Sequence, residues 1–104
     1  MIPRSFKLAG RRWQVRRVTR KGMNRLTRKL GATLADGLCD PNKARIYLPL
    51  DLKGELLEIG FEHELEHAIR FTRGETDHDE IAVDGVAHLR HQFHKSSRGQ
   101  CDAA

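Results

Sequence analysis

Residues 52–71 constrain this chain more than any other segment. Apolar side chains recur there at Leu57, Phe61, Leu65 and Ala68, the spacing of one buried helix face. Asp51 is the expected N-terminal cap and Gly74 the expected stop. Inside this run stands His63-Glu64-Leu65-Glu66-His67, an H-E-x-x-H pattern. Helix positions i and i+4 project to one side, so the two imidazoles can share one divalent cation. Glu64 then lies where it can exchange a proton with water at that cation. On a helical wheel His63, Glu64 and His67 share an arc with Leu56 and Gly60 at the border of the apolar face, so the motif edges the core and stays reachable. A further stripe, Glu58, Glu62, Glu66 and Arg70, reads as a solvated face carrying a Glu66–Arg70 pair rather than as catalytic machinery.

Two histidines are one ligand short of a catalytic zinc site, which takes three protein ligands and keeps a position open. A second helix is expected over residues 79–95, burying Ala82, Val83, Val86, Leu89 and Phe93. Glu80, at its start and at the margin of its apolar face, is the favoured third ligand, with Asp84, Asp77 and His78 as alternatives. Asp84, one turn on, is also placed to accept the Nδ1–H of a ligand histidine and fix its orientation. His88, His91 and His94 continue along this helix and read chiefly as surface histidines. His88 or His91 could instead lean into the cleft as an oxyanion donor.

Upstream, residues 6–8 and 12–16 alternate apolar with polar around Gly10, which predicts a β-hairpin with Trp13 and Val15 inward and Arg12, Arg16 and Arg17 on the other face. Residues 34–39 and 45–50 flank Asp40-Pro41-Asn42-Lys43 and predict a second hairpin. There Ile46, Leu48 and Leu50 share a face, and Pro49 marks an edge or a strand end. Between the hairpins, residues 19–33 interleave Met23, Leu26 and Leu30 with cations and read as a short basic helix or an ordered loop. The expected architecture is a single α+β domain over residues 1–95: a small, mostly antiparallel sheet packed on the motif helix, a second helix, and a flexible polar tail over 96–104. At 104 residues the chain suits one modest core.

Charge is divided along the chain. Residues 1–53 hold fourteen Lys/Arg against three Asp, and residues 54–104 hold five against eleven acids, so the halves stand near +11 and −6. Mutual attraction within one fold accounts for this most simply. The alternative is that Arg16, Arg17, Arg20, Lys21, Arg25, Arg28 and Lys29 meet nucleic acid. No apolar leader or membrane-length span occurs, and Cys39 and Cys101 lack metal-binding spacing, so a cytoplasmic protein with free thiols is expected.

Taken in order, the strand hairpins, the helix with His63-Glu64-Leu65-Glu66-His67, and Glu80-Ile81-Ala82-Val83-Asp84 on a closing helix resemble a minimal zincin. The order is similar to small phage and prophage zinc metallopeptidases of the minigluzincin or ImmA/IrrE-like kind, over roughly residues 5–95. The resemblance implies one zinc ion held by His63, His67 and Glu80, Glu64 as general base, Asp84 behind a ligand histidine, and peptide-bond hydrolysis in a protein substrate within the host cytoplasm. That substrate is expected to lie extended beside the strand at 45–50. Glu66 stands where such motifs carry an uncharged residue. Two rivals remain at this level: a basic nucleic-acid-binding module, and an inactive zincin-like protein that binds a partner without cleaving it.

Overall fold

The computed structural model describes residues 2–30 and 36–98. Four strands and three helices follow the order β1 (Ser5–Leu8), β2 (Arg11–Val18), α1 (Arg20–Lys29), β3 (Leu38–Asp40), β4 (Arg45–Pro49), α2 (Gly54–Thr72) and α3 (Glu80–Ser97). The fold is α+β. Ala9 and Gly10, with φ of 50° and 82°, make the two-residue turn between β1 and β2, the backbone a type I′ hairpin demands. The Asp40 carboxylate starts the next turn by accepting from the amides of Asn42 and Lys43.

The strands form one mixed sheet in the order β1-β2-β4-β3, with β2 and β4 parallel and the outer pairings antiparallel. β4 is therefore interior. Pro49 occupies its last position, so the strand-end expectation holds and the edge expectation does not, and an extended ligand cannot add to β4. Among the described residues the edge on that side belongs to β3.

One sheet face packs on α2: Trp13, Ile46 and Leu48 close against Phe61 and Ala68, with Phe6 stacked parallel to Trp13 and edge-on to Phe61. The opposite face carries α1, whose Met23 and Leu26 cover Leu38, Tyr47 and Val18. Residues 20–29 of the basic segment are thus helical, capped by Thr19 accepting from the Gly22 amide; residues 31–35 lie outside the described set. Arg17 shares the inward parity of Trp13 and Val15 rather than the outer face. Its guanidinium donates to the carbonyls of Pro49, Leu50 and Leu52 and ties β2 to the chain entering α2.

Asp51 does not cap α2. It accepts both Arg20 nitrogens at 3.0 and 2.8 Å, and Lys53 takes the cap position without a side-chain bond. Gly74, at φ 89°, ends the helix as expected.

The largest departure lies between α2 and α3. The glutamate stripe of α2 is not solvated: it is the face on which α3 docks. Glu55 meets Lys95, Glu58 meets His91, and Glu62 and Glu66 both accept from Arg90, while Glu66 also accepts from Arg70 at 2.8 Å. Glu62 and Glu66 are buried by this ladder. Helix α3 accordingly buries Val83, Ala87 and His91, with Ala82 half-buried, so the expected face holds at Ala82 and Val83 and fails at Val86, Leu89 and Phe93, which are exposed. Acid on α2 selects base on α3, and that pairing rotates the apolar stripe outward. The helix also continues through Ser97, taking in the start of the expected tail, whose remainder from residue 99 lies outside the described set.

Candidate metal centre

Between α2, the start of α3 and the edge of β3 opens a cleft of about 710 Å³, lined by Leu38, Cys39, Gly60, His63, Glu64 and His67 among others. Helix α2 offers the motif side chains from one face, as i, i+4 spacing requires. Asp79 caps α3 by accepting from the Ile81 amide, which starts that helix where Glu80 overhangs the cleft. The Glu80 carboxylate bridges the two imidazoles, with Oε2 at 3.1 Å from His63 Nε2 and Oε1 at 3.1 Å from His67 Nε2. Asp84 stands on the other side of His63, its Oδ1 at 3.3 Å from Nδ1.

His78 has a role that spacing does not reveal. It is not a third ligand but sits behind His67, with the two Nδ1 atoms 2.7 Å apart, and its Nε2 meets the Glu75 carbonyl at 2.9 Å. A carbonyl only accepts, so His78 carries its proton on Nε2. With the ring neutral, its Nδ1 accepts, and His67 must then donate from Nδ1. Asp84 imposes the same tautomer on neutral His63. Both Nε2 lone pairs consequently aim at the Glu80 carboxylate, so four acceptors converge without a proton among them. Protonating the imidazoles would relieve this, but burial and the neighbouring histidines lower the His67 pKa despite Glu80.

A cation fits that arrangement. One atom from each of His63, His67 and Glu80 lies within 4.8 Å of the others, the one such group among the described residues. Tetrahedral zinc with bonds near 2.0–2.1 Å places ligand atoms about 3.3 Å apart, and each imidazole Nε2 stands 3.1 Å from one Glu80 oxygen. Asp77 is exposed and does not line the cleft.

Glu64 lies on the same wall and is buried. Burial first, and the charge of Glu80 second, push its carboxyl up to about 8. Gly37 makes room for it, since a Cβ there would fall 2.7 Å from Glu64 Oε2 and 2.9 Å from its Cγ. Cys39, also in the cleft wall, has its thiol pushed far up by burial and by Glu64, and it is not in the group formed by His63, His67 and Glu80. Cys101, the other thiol of the chain, lies outside the described residues. His88 reaches the cleft rim, with Nε2 3.5 Å from Asp84 Oδ2. His91 does not: it is buried against Glu58, away from the cleft, and cannot serve as an oxyanion donor. His94 pairs loosely with Glu62 at 3.7 Å.

Of the residues considered for nucleic acid, Arg17 is spent on carbonyls and Arg20 on Asp51 and Asp36. Arg16, Lys21, Arg25, Arg28 and Lys29 point to solvent from the far side of the sheet. No helix among the described residues is long and apolar enough to cross a membrane. No family model, no curated protein and no solved structure matches this chain.

Proposed function

We propose that the protein is a zinc-dependent peptidase acting on an extended segment of a protein substrate. The observation that carries this reading is the convergence of two oriented Nε2 lone pairs and the Glu80 carboxylate beside a buried glutamate. Zinc bound there supplies Lewis acidity toward a carbonyl oxygen and lowers the pKa of water. Glu64, on the same wall and ionised beside the cation's charge, would accept the proton of the attacking water and pass it to the departing amine. Asp84 and His78 hold the two imidazoles in the tautomer that leaves Nε2 free. Strand β3, the sheet edge on that side among the described residues, with Leu38 and Cys39 in the cleft wall, would offer main-chain groups to an extended peptide, replacing the expectation placed on β4.

A purely nucleic-acid-binding reading gives the acceptor convergence no purpose. Elemental analysis of tag-free protein tests the proposal, comparing wild type with a His63→Ala/His67→Ala variant. About one zinc per chain, lost in the variant, is expected. Absence of metal after zinc supply at neutral pH would sink the reading. Metal retained, with no cleavage of any substrate in a proteome-wide digest, would indicate the inactive, partner-binding alternative. Where cleavage is found, Glu64→Gln is expected to abolish it while keeping the zinc.

A further inference from the structure

Every side-chain ion pair between described residues stays within its own half of the chain: Arg20 with Asp36 and Asp51 in the basic half, and the α2–α3 ladder and cleft pairs in the acidic half. Among the described residues, side-chain ion pairs with the acidic half therefore leave the basic side chains of the first half available. What remains is a face of the sheet opposite α2. Arg12 and Arg16 share the outward parity of Val18 on β2, and α1 lies alongside with Lys21, Arg25, Arg28 and Lys29 exposed. Among the described residues Arg12 and Arg16 donate only to neutral oxygens, of Ser5 and Gln14. The four α1 cations have no carboxylate partner among the described residues.

Helix α1 is not stabilised by this pattern. Lys21, Arg25 and Lys29 follow at i, i+4 spacing, where like charges repel. The first turn holds Arg20 and Lys21 and no acid, against the helix dipole. Only Arg28 and Lys29, in the last turn, suit the dipole. A fold that needed α1 merely to cover Tyr47 would have no use for this face.

We infer that this basic face binds the phosphate backbone of duplex DNA, independently of the cleft. The occupant follows from what else the face lacks. Protein interfaces centre on aromatic or apolar anchors, yet the exposed large apolar side chains described near this face are aliphatic and lie at its ends, Leu30 after α1 and Leu50 after β4, with no exposed aromatic among the described residues there. A membrane-surface helix needs its apolar side outward, whereas Met23 and Leu26 of α1 face inward onto Tyr47. From Lys21 to Lys29 the helix rises about 12 Å, a length over which duplex DNA presents about seven phosphates. Backbone contact of this kind reads no sequence.

The test is fluorescence anisotropy with a mixed-sequence DNA duplex of about 20 base pairs, titrated across about 50–200 mM salt. Six phosphate contacts predict a log–log salt slope near about −5. A Lys21→Gln/Arg25→Gln/Arg28→Gln/Lys29→Gln variant should bring it to about −2, and a His63→Ala/His67→Ala variant should leave it unchanged. Relief of like-charge repulsion should keep the melting temperature of the quadruple variant at or above that of wild type. If that variant folds poorly, Arg12→Gln/Arg16→Gln serves instead, with the slope reduced by about 2. No saturable binding at the lowest salt, a slope indifferent to these changes, or stronger competition by a poly-glutamate peptide than by duplex would each overturn the inference.

Discussion

Replacing Arg90 by alanine should cost this protein a large part of its stability. The Arg90 guanidinium reaches three acceptors on α2: the Glu62 carboxylate through Nε, Glu66 Oε1 at 3.1 Å and the Glu62 carbonyl at 3.1 Å. Glu66 would keep Arg70, but Glu62, with a side chain only 11% exposed, would keep only His94 at 3.7 Å. Removing one partner from a buried pair leaves an uncompensated charge, and with part of the load taken by Arg70 and water we expect a loss of about 2–4 kcal/mol. In a domain near this length that corresponds to a drop in melting temperature of about 10–20 °C.

The pH dependence sharpens the test. Burial works to raise the Glu66 carboxyl, and hydrogen bonds from Arg70 and Arg90 outweigh it, holding it below the ordinary value. A depressed folded pKa contributes stability fully above the unfolded value and loses it as pH falls through the folded one. The gap between wild type and Arg90→Ala should thus be widest near pH 7 and narrow on acidification, when the stranded carboxylates can take protons. Urea denaturation from pH 7 down to pH 4 measures it. A gap under about 1 kcal/mol, in the range of an exposed pair, or one constant across that range, would show that the ladder is a surface feature and that the account of α3 docking is mistaken.

His78→Ala frees the His67 tautomer and should weaken zinc binding about 10–100-fold in a chelator competition. His78→Asn, which can still accept near the Nδ1 position, should recover much of that loss, and ¹⁵N shifts of His67 should report the tautomer directly. Gly37→Ala places a Cβ against the Glu64 carboxylate, so turnover should fall about 100-fold through misplacement of the base while zinc content holds; an unchanged rate would remove Gly37 from the site. In metal-free protein, Glu64→Gln should stabilise the fold by up to about 3 kcal/mol at pH 7, because a carboxyl raised to about 8 opposes folding once its unfolded counterpart ionises above pH 4.5. That gain should vanish near pH 4, and a gain unaffected by pH would contradict the burial of Glu64.

What sequence patterning conveys and what it misses divide along physical lines. Periodicities rooted in backbone geometry are legible: the alternation around Trp13, the turn at Gly10, and the i, i+4 placement of His63 and His67 all appear where spacing puts them. Glu80 and Asp84, separated by one helical turn, likewise fall on opposite sides of His63 as ligand chemistry suggests. Patterning fails where a partner from another element decides. Hydrophobicity alone points α3 inward through Leu89 and Phe93, because a helical wheel scores Glu62 and Glu66 as solvent-facing until Arg90 is known to oppose them. Charge alone sends Arg17 to the surface, against its strand parity, because its carbonyl partners lie more than thirty residues ahead. His78 is invisible as an orienter because its role depends on a bond to the Glu75 main chain, which no residue type encodes.

The buried glutamate stripe also accounts for Glu66, the charged residue standing inside the motif. Glu80 and Asp84 come from α3, whereas His63, Glu64 and His67 come from α2, so the site exists only at one relative register of the two helices. An apolar seam would tolerate sliding and rotation with little change in buried area, and a slip of one turn moves Glu80 about 5.4 Å from the imidazoles, beyond any shared cation. Paired charges have no such tolerance, because each displacement leaves Glu62 or Glu66 buried without its guanidinium. Fixing register is the best-attested use of buried polar pairs. Here the Glu55–Lys95, Glu58–His91 and Glu62/Glu66–Arg90 contacts run antiparallel along the same two helices that meet at Glu80. The acidic residue at position 66 therefore belongs to the machinery that places the third acceptor, acting from the face of α2 turned away from the cleft.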